Sequence, residues 1–393
     1  MSDTPNLESF AQTVVSESGA LGLSVLSFGK ADEIPEHELY MSWLAAGLAG
    51  DMSYLHRDAA PRKDVRLLLA EAKSVVVVAL PYASANDETS RAGHGNIARY
   101  ARGQDYHLVL KRRLQVLAER LSARCSAPML WRACVDTAPL MERAVAARAG
   151  LGFVGKNTLL ITPGVGSYTV LGELLLSVPL PSQDPQPARC GDCRLCLDAC
   201  PTQALFAPFQ MDSRRCISYL TIENSGEIPA SLRSKMGDWI FGCDLCQTVC
   251  PYNVRAKPGD RALSPKPSFC SPRLSELLLI GAAKYRKWVK QTALRRINRT
   301  SLVRNVAVAM GNVGTPDDLG ALGIALFREP ALVRKHIAWA IAELVLRHKE
   351  LLCAGRELLE KGASVEEDET VRKEIAAALA RLNPAQIQGP VPV

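Results

Sequence analysis

Apolar and polar positions alternate with helical period over Glu8–Ser18 and Pro35–Ala46, which predicts two amphipathic helices, with a possible strand over Leu21–Phe28 between them. Ser74–Leu80 breaks that rhythm. It is an uninterrupted Val-rich run closed by Pro81-Tyr82, the pattern of a strand buried on both faces of an α/β sheet. A helix over Leu108–Cys125, a strand over Pro128–Val135 and a helix over Leu140–Ala149 stopped by Gly150 follow. Strands over Leu159–Thr162 and Leu171–Val178 complete the series. Strand and helix patterns in alternation point to an α/β fold for this part of the chain.

A Pro- and Gln-rich stretch, Pro179–Ala188, reads as a linker, and the pattern changes again after Lys257-Pro258-Gly259. From there the period is helical and an internal repeat is visible. Leu302-Val-Arg-Asn-Val-Ala-Val-Ala-Met310 is echoed by Leu332-Val-Arg-Lys-His-Ile-Ala-Trp-Ala340 and by Thr370-Val-Arg-Lys-Glu-Ile-Ala-Ala-Ala378, at spacings of 30 and then 38 residues. Those spacings fit helical-hairpin repeats of the HEAT kind, which offer a shallow concave face to a large partner.

Between linker and repeats the cysteines carry the chemistry. Cys190-x2-Cys193-x2-Cys196-x3-Cys200-Pro201 has the spacing of a two-cluster bacterial ferredoxin, and Cys243-x2-Cys246-x3-Cys250-Pro251 repeats it without its leading cysteine. Cys216 is the nearby thiol that fills the gap. In the two-cluster arrangement the cysteine before each proline crosses to the other cluster. The spacing therefore assigns Cys190, Cys193, Cys196 and Cys250 to one 4Fe-4S cluster, and Cys200, Cys216, Cys243 and Cys246 to the second. Each proline should end the short helix that carries its cysteine. Zinc sites seldom use a three-cysteine run closed by Cys-Pro, and disulfides suit a secreted chain. Cys125, Cys134, Cys270 and Cys353 fall outside the pattern and read as buried or inert thiols.

Composition changes the picture little: 393 residues, 48% hydrophobic and 22% charged, describe a globular chain with room for two or three domains. No apolar run reaches the length of a membrane helix, and the acidic start MSDTPNLESFAQ lacks a signal-peptide pattern. A cytoplasmic, reducing home is expected, with no membrane partner. Charge is more informative by place than by sum. The net charge is +7, but Lys284–Arg304 holds eight Lys or Arg and no acid, which is where phosphate contacts are expected.

Several other groups are candidates on weaker grounds. The polar and aromatic loop Gly95–His107 lies between the buried strand and a helix, where a ligand cleft commonly opens. Asp136, after a strand and before Pro139, reads by default as a helix cap. Gly152-Phe-Val-Gly155-Lys156-Asn157-Thr158 is not a phosphate loop. It brings backbone close to something bulky, with Lys156 and Asn157 as donors.

Taken in order, Tyr54-Leu-His-Arg57, Ile97-Ala-Arg-Tyr-Ala101 with Asp105-Tyr-His107, Val135-Asp136-Thr137, Gly152-Phe-Val-Gly-Lys-Asn-Thr-Leu-Leu-Ile161, Cys216-Ile-Ser-Tyr-Leu-Thr-Ile-Glu223 and Phe241-Gly-Cys-Asp244 resemble the epoxyqueuosine reductases. The resemblance covers nearly the whole chain. It implies an α/β cobalamin-binding catalytic domain over 1–185, a ferredoxin-like domain with two 4Fe-4S clusters over 186–260, and an all-α domain of HEAT-like repeats over 261–393 that binds a tRNA anticodon arm. The implied reaction reduces the epoxide of epoxyqueuosine, at the wobble position of tRNA, to the alkene of queuosine. An unidentified low-potential electron donor is required, and a monomer is expected.

By the same resemblance the proton donor falls on Asp136, displacing the helix-cap reading. Cobalamin contacts fall on Arg57, Arg99, Asp136, Asn157, Ser167, Thr169, Ser218, Thr221, Glu223, Cys243 and Asp244. Thr292, Leu294, Arg295, Arg296, Asn298 and Arg299 match the family's tRNA-contacting segment. Two alternatives remain at this stage: a cobalamin-dependent reductive dehalogenase, and a non-catalytic iron–sulfur electron carrier or RNA-binding scaffold.

Overall fold

The computed structural model describes residues 7–84, 91–125 and 127–383, so the first residues of the acidic start lie outside it. Packing divides the chain into two units: residues 1–85, 99–216 and 244–265, and residues 86–98, 217–243 and 266–393. The boundaries cut across the segments expected from sequence. The cysteine-rich stretch contributes to both units.

Eight strands lie among the described residues: β1 Leu26–Lys30, β2 Ser74–Pro81, β3 Asn96–Ile97, β4 Trp131–Cys134, β5 Phe153–Val154, β6 Leu160–Ile161, β7 Thr169–Leu176 and β8 Trp239–Phe241. The first unit is built on a four-stranded sheet in the order β1-β2-β7-β4. The β2 run is buried along its whole length, as its composition requires. Its neighbours β1 and β7 are antiparallel to it, however, and β4 is antiparallel to β7, so burial on both faces here does not mean a parallel sheet. Both faces are covered because helices flank each side.

The two-residue period of β2 sorts its side chains between two cores. Val76, Val78 and Leu80 face a cluster with Leu110, Leu114, Leu117 and Leu121 of the Tyr106–Ser122 helix and Phe10 and Val14 of the Leu7–Ala20 helix. Val75, Val77 and Ala79 face the other way, onto Ala144, Val145 and Ala146 of the Glu142–Arg148 helix. Each fully buried valine is worth about 1.5–3 kcal/mol relative to exposure, so the sheet is a rigid base for what its ends carry. The expected linker, Pro179–Ala188, has no regular structure.

In the second unit β3 pairs in parallel with β8. The three repeat segments fall on the helices Arg299–Val313, Ala331–Arg347 and Glu369–Arg381, and these pack in series, the first on the second and the second on the third. Side-chain caps fix two of their starts: Asn298 accepts from Ser301 N–H, and Asp368 from Thr370 and Val371 N–H. No helix among the described residues is long and apolar enough to cross a membrane.

Candidate active site and cysteine cradle

Two short helices, Leu195–Asp198 and Leu245–Thr248, end just before Cys200-Pro201 and Cys250-Pro251, where the prolines forbid continuation. Cys190, Cys193, Cys196 and Cys250 together line a cavity of about 280 Å³, with Lys156, Asn157 and Tyr252 in its wall. That set is the one the spacing assigned to a single cluster, including the cysteine that crosses from the second motif. None of the twelve cysteines is in a disulfide. Burial, then the neighbouring Cys190, Cys250 and Cys193, raise the Cys196 thiol, so four thiolates crowded here call for a cation.

Among the described residues no three His, Cys, Asp or Glu side chains close on one point as a lone metal ion needs. The four thiols instead stand around a space, which suits a polynuclear cluster. Of the second set, Cys246 is raised by burial and then by Cys216, Asp244, Cys196 and Cys200 nearby. Cys243, the remaining member, falls in the second unit.

The β5–β6 hairpin forms part of the cradle, and its glycines are needed for close packing. A Cβ on Gly152 would collide with the Ile161 carbonyl oxygen, and one on Gly155 would meet Asn157 Oδ1 at 2.8 Å. The turn closes through Thr158 N–H to the Gly155 carbonyl, at 2.8 Å, with Thr158 in the left-handed region at φ 65°. Lys156 then donates from Nζ to the carbonyls of Gly191, at 2.5 Å, and Cys193, at 3.0 Å, tying the first cysteine loop to the hairpin.

Asp136 leaves the end of β4 with φ 50°, a left-handed conformation costly for a residue with a side chain. It does not cap the next helix, whose N-cap is Met141 with no side-chain hydrogen bond. Its main-chain N–H instead donates to Glu142 Oε1. Its carboxylate Oδ2 lies 3.0 Å from His107 Nε2, while His107 Nδ1 lies 2.7 Å from Asp105 Oδ1. Asp105 is the N-cap of the Tyr106–Ser122 helix, and the Tyr106 ring stacks on His107 at 4.0 Å. Burial alone would lower the imidazole, but hydrogen bonds and charge from Asp105 and Asp136 outweigh it and raise His107 to about 9. The ring is therefore an imidazolium at neutral pH, donating from both nitrogens. Asp136 keeps 45% of its side chain exposed, so this acid can meet a substrate.

Behind Asp136 lie two more acids. Glu173, opposite Cys134 in the β7–β4 register, is fully buried. Glu142 touches it; burial, then the charge of Asp136, raise Glu142 to about 7, and burial, then Glu142, raise Glu173 well above the carboxylate range. The Cys134 thiol is buried, and burial and then Glu173 push it up to about 12. Cys353 is exposed rather than buried.

The remaining expected contacts are placed unevenly. In the first unit Asp244 Oδ2 accepts from Arg99 N–H at 2.8 Å, and the Arg99 guanidinium lies 4.4 Å over the Tyr168 ring. Ser167 is buried, its Oγ donating to Gln247 at 3.1 Å and accepting from Asn253 at 2.9 Å. Thr169 opens β7 part-exposed, and Arg57 is 73% exposed and paired with Asp58. In the second unit Ser218, Thr221 and the flanking Glu223 come from the Ile217–Ile222 helix. Thr221 is fully buried, its hydroxyl donating to the Ile217 carbonyl and accepting from Gly242 N–H, which makes it structural.

The basic segment proves only partly available. Arg304 is fully buried and donates to the carbonyls of Leu220, Asn224 and Gly226, so it is no phosphate contact. Arg299 is committed to Glu329 at 2.6 and 2.7 Å. Thr292 and Leu294 are buried. Arg295, Arg296 and Asn298 are exposed, with Arg296 Nε donating to Glu223 at 2.8 Å.

Comparison with known proteins decides between the open readings. A curated epoxyqueuosine reductase of Xanthomonas campestris is 40% identical over 324 residues, 79% of this chain and 90% of that one. The chain belongs to the epoxyqueuosine reductase family. Residues 62–137 match the family model described as "Epoxyqueuosine reductase QueG, DUF1730", and residues 189–253 match a 4Fe-4S double cluster binding domain. A solved epoxyqueuosine reductase with an epoxyqueuosine-modified tRNA stem loop superposes with a TM-score of 0.86 at 30% identity, covering 96% of this chain and 100% of that one. A Bacillus subtilis epoxyqueuosine reductase, with a catalytic loop swung out of the active site, gives 0.85 at 29% identity, covering the same shares. The mixed α/β content and the iron–sulfur segment are those of the epoxyqueuosine reductase fold.

The sequence alone gives no role to His107, Asp105, Glu142, Glu173 or Gln247. Asp105 and His107 carried a visible signal, an acid and a histidine two apart before a helix. Glu173 carried another: a lone acid inside the apolar run Leu171–Leu176.

Proposed function

We propose that this oxidoreductase reduces the epoxide of epoxyqueuosine in the tRNA wobble nucleoside to the alkene of queuosine, with Asp136 as proton donor. The observation that carries the reading is an exposed Asp136 carboxylate hydrogen-bonded to an imidazolium, in the same unit as a cavity lined by four free thiols. Converting an epoxide to an alkene consumes two electrons and two protons and releases one water. The oxygen leaves as alkoxide unless it is protonated as the bond opens, which a positioned acid does best.

The donor set fits the cofactors of the family. Four thiols around one cavity fit a 4Fe-4S cluster, and the second set, Cys200, Cys216, Cys243 and Cys246, is assigned to another. For cobalamin, whose rim carries amides, the first unit offers Arg99, Asp136, Ser167, Thr169 and Asp244 as polar partners; Ser218, Glu223 and Cys243 are the members expected from the second. Of the remaining expected contacts, Thr221 is fully buried and Arg57 is exposed. When bound, cobalamin and the clusters supply low-potential electrons drawn from an external donor.

The chain's own residues handle the proton. His107 holds that proton between Asp105 and Asp136 and passes it to the Asp136 carboxylate, which hands it on to the leaving oxygen and leaves the imidazole neutral. The strained main chain at Asp136, whose N–H is held by Glu142, leaves the carboxyl on His107.

Residues 1–185 would hold cobalamin, 186–260 the two clusters, and 261–393, as HEAT-like repeats, the anticodon arm, with the chain working as a monomer in the reducing cytoplasm. Exposed Arg295, Arg296 and Asn298 are the phosphate-facing members of the tRNA segment; Thr292, Leu294 and Arg299 shape it. Asp136→Asn tests the reading: epoxide reduction should be lost while cobalamin and tRNA still bind. Unchanged turnover would remove Asp136 as donor.

A further inference from the structure

Asn157 was expected among the cobalamin contacts, yet it lines the cavity of Cys190, Cys193, Cys196 and Cys250. It is 3% exposed. Its Oδ1 is turned back into the hairpin, accepting from Leu159 N–H at 3.3 Å, and packs where only a glycine at 155 leaves room. Its Nδ2 is buried and has no hydrogen-bond acceptor in the protein. A buried amide N–H2 without an acceptor costs about 1–3 kcal/mol, so a hairpin built to hold it there implies a partner from outside the chain.

We propose that Asn157 Nδ2 donates a hydrogen bond to a sulfur of the 4Fe-4S cluster held by Cys190, Cys193, Cys196 and Cys250, and thereby sets that cluster's reduction potential. The proposal rests on the cluster assignment above. Reduction adds an electron whose charge spreads over the inorganic and cysteinyl sulfurs. A hydrogen bond donated to one of them stabilises the reduced state more than the oxidised state and raises the potential. Lys156 contributes rigidity: by holding the Gly191 and Cys193 carbonyls it keeps the cysteine loop in register with the hairpin that carries Asn157. Asn157 is thus a tuning residue, remote from the reacting epoxide and acting through the electron supply.

The test uses the anaerobically reconstituted holoenzyme, with iron counted first. Asn157→Leu keeps the volume and removes the donor. It should retain wild-type iron while the reduced-to-oxidised ratio of one cluster falls about tenfold at fixed poise, a downward shift of about 59 mV for one electron. The other cluster should not move. Asn157→Gln, which keeps an amide, should lie between the two. In the wild type, protein labelled with 15N in its asparagine side chains should show a nitrogen hyperfine coupling on a reduced cluster by pulsed EPR, absent in Asn157→Leu. Full iron with neither a shift nor a coupling overturns the proposal and leaves the cluster assignment standing. If Asn157→Leu fails to hold iron, the wild-type coupling alone decides. Absence of iron from the wild type would instead overturn the assignment, and this proposal with it.

Discussion

Replacing Glu142 with alanine should slow epoxide reduction without unfolding the protein. Asp136 sits at φ 50°, a conformation that costs about 1–3 kcal/mol for a non-glycine residue and persists only where its surroundings hold it. The group that holds its main chain is Glu142 Oε1, which accepts the Asp136 N–H. A hydrogen bond to an ionised carboxyl contributes about 1.5–3 kcal/mol. Its removal should therefore depopulate the reactive Asp136 conformer by about ten- to a hundredfold, read as the fall in single-turnover rate on an epoxyqueuosine stem loop. Cluster iron and RNA affinity should be unchanged. Stability separates this positioning role from simple packing. Burial and the charge of Asp136 both oppose the ionised Glu142, so Glu142→Ala should melt no earlier than wild type even as it slows. Glu142→Gln keeps a carbonyl acceptor and should lose less than tenfold. A Glu142→Ala rate within twofold of wild type, or a loss explained by early melting, would refute this account of the Asp136 loop.

The His107 imidazolium gives a pH signature. With its folded value raised to about 9 from an ordinary 6.5, its stabilising contribution is complete below about pH 6.5 and is lost as pH rises through about 9. The alkaline limb of the rate profile should follow the same proton, and His107→Gln should move that limb down by more than one pH unit; an unmoved limb would remove His107 from proton delivery. On the RNA face, Arg295→Ala with Arg296→Ala should weaken stem-loop binding and lower the slope of log affinity against log salt by about 0.7–0.9 for each phosphate no longer neutralised, with cluster absorption unaltered. Arg304→Met should behave differently, destabilising the fold by about 3 kcal/mol or more, because the carbonyls of Leu220, Asn224 and Gly226 lose their donors in a buried site; denaturant unfolding measures it.

Where local pattern and physical cause coincide, the sequence was sufficient. The Cys-Pro helix stops and the gathering of Cys250 with Cys190, Cys193 and Cys196 around one cavity were legible because ligand spacing constrains residues close together in the chain. The Val-rich β2 was legible as a strand buried on both faces, but not its antiparallel neighbours, since burial reports what covers a strand rather than which way the next one runs. Arg304 shows the limit for charge. In the sequence it is one of eight cations in an acid-free run, and only folding shows it turned inward to three carbonyls. Asp136 reads locally as a helix cap; its true partners, His107 and Glu142, come from a helix start 29 residues earlier and a helix start six residues later.

The charges around Asp136 also constrain how the reaction can be supplied with protons. Asp105, Asp136, Glu142 and Glu173 are four carboxyls, faced by the His107 imidazolium and the Arg143 guanidinium. If all four were ionised the group would carry two uncompensated negative charges, one of them on the fully buried Glu173. Burial and the neighbouring Glu142 both oppose that state and hold the Glu173 carboxyl well above the carboxylate range, with neither of its oxygens hydrogen-bonded among the described residues. Glu142 can then remain the acceptor of the Asp136 N–H. On the proposed reaction the two pairs would have separate duties: Glu173 with Glu142 would maintain a shape, and His107 with Asp136 would move the proton. Glu173→Gln, neutral at every pH, should preserve the wild-type rate and leave the alkaline limb where His107 sets it if shape is the duty of that pair. A large loss at neutral pH in Glu173→Gln would mean that the buried carboxyl itself gives up its proton in turnover, and would merge the two pairs into one relay.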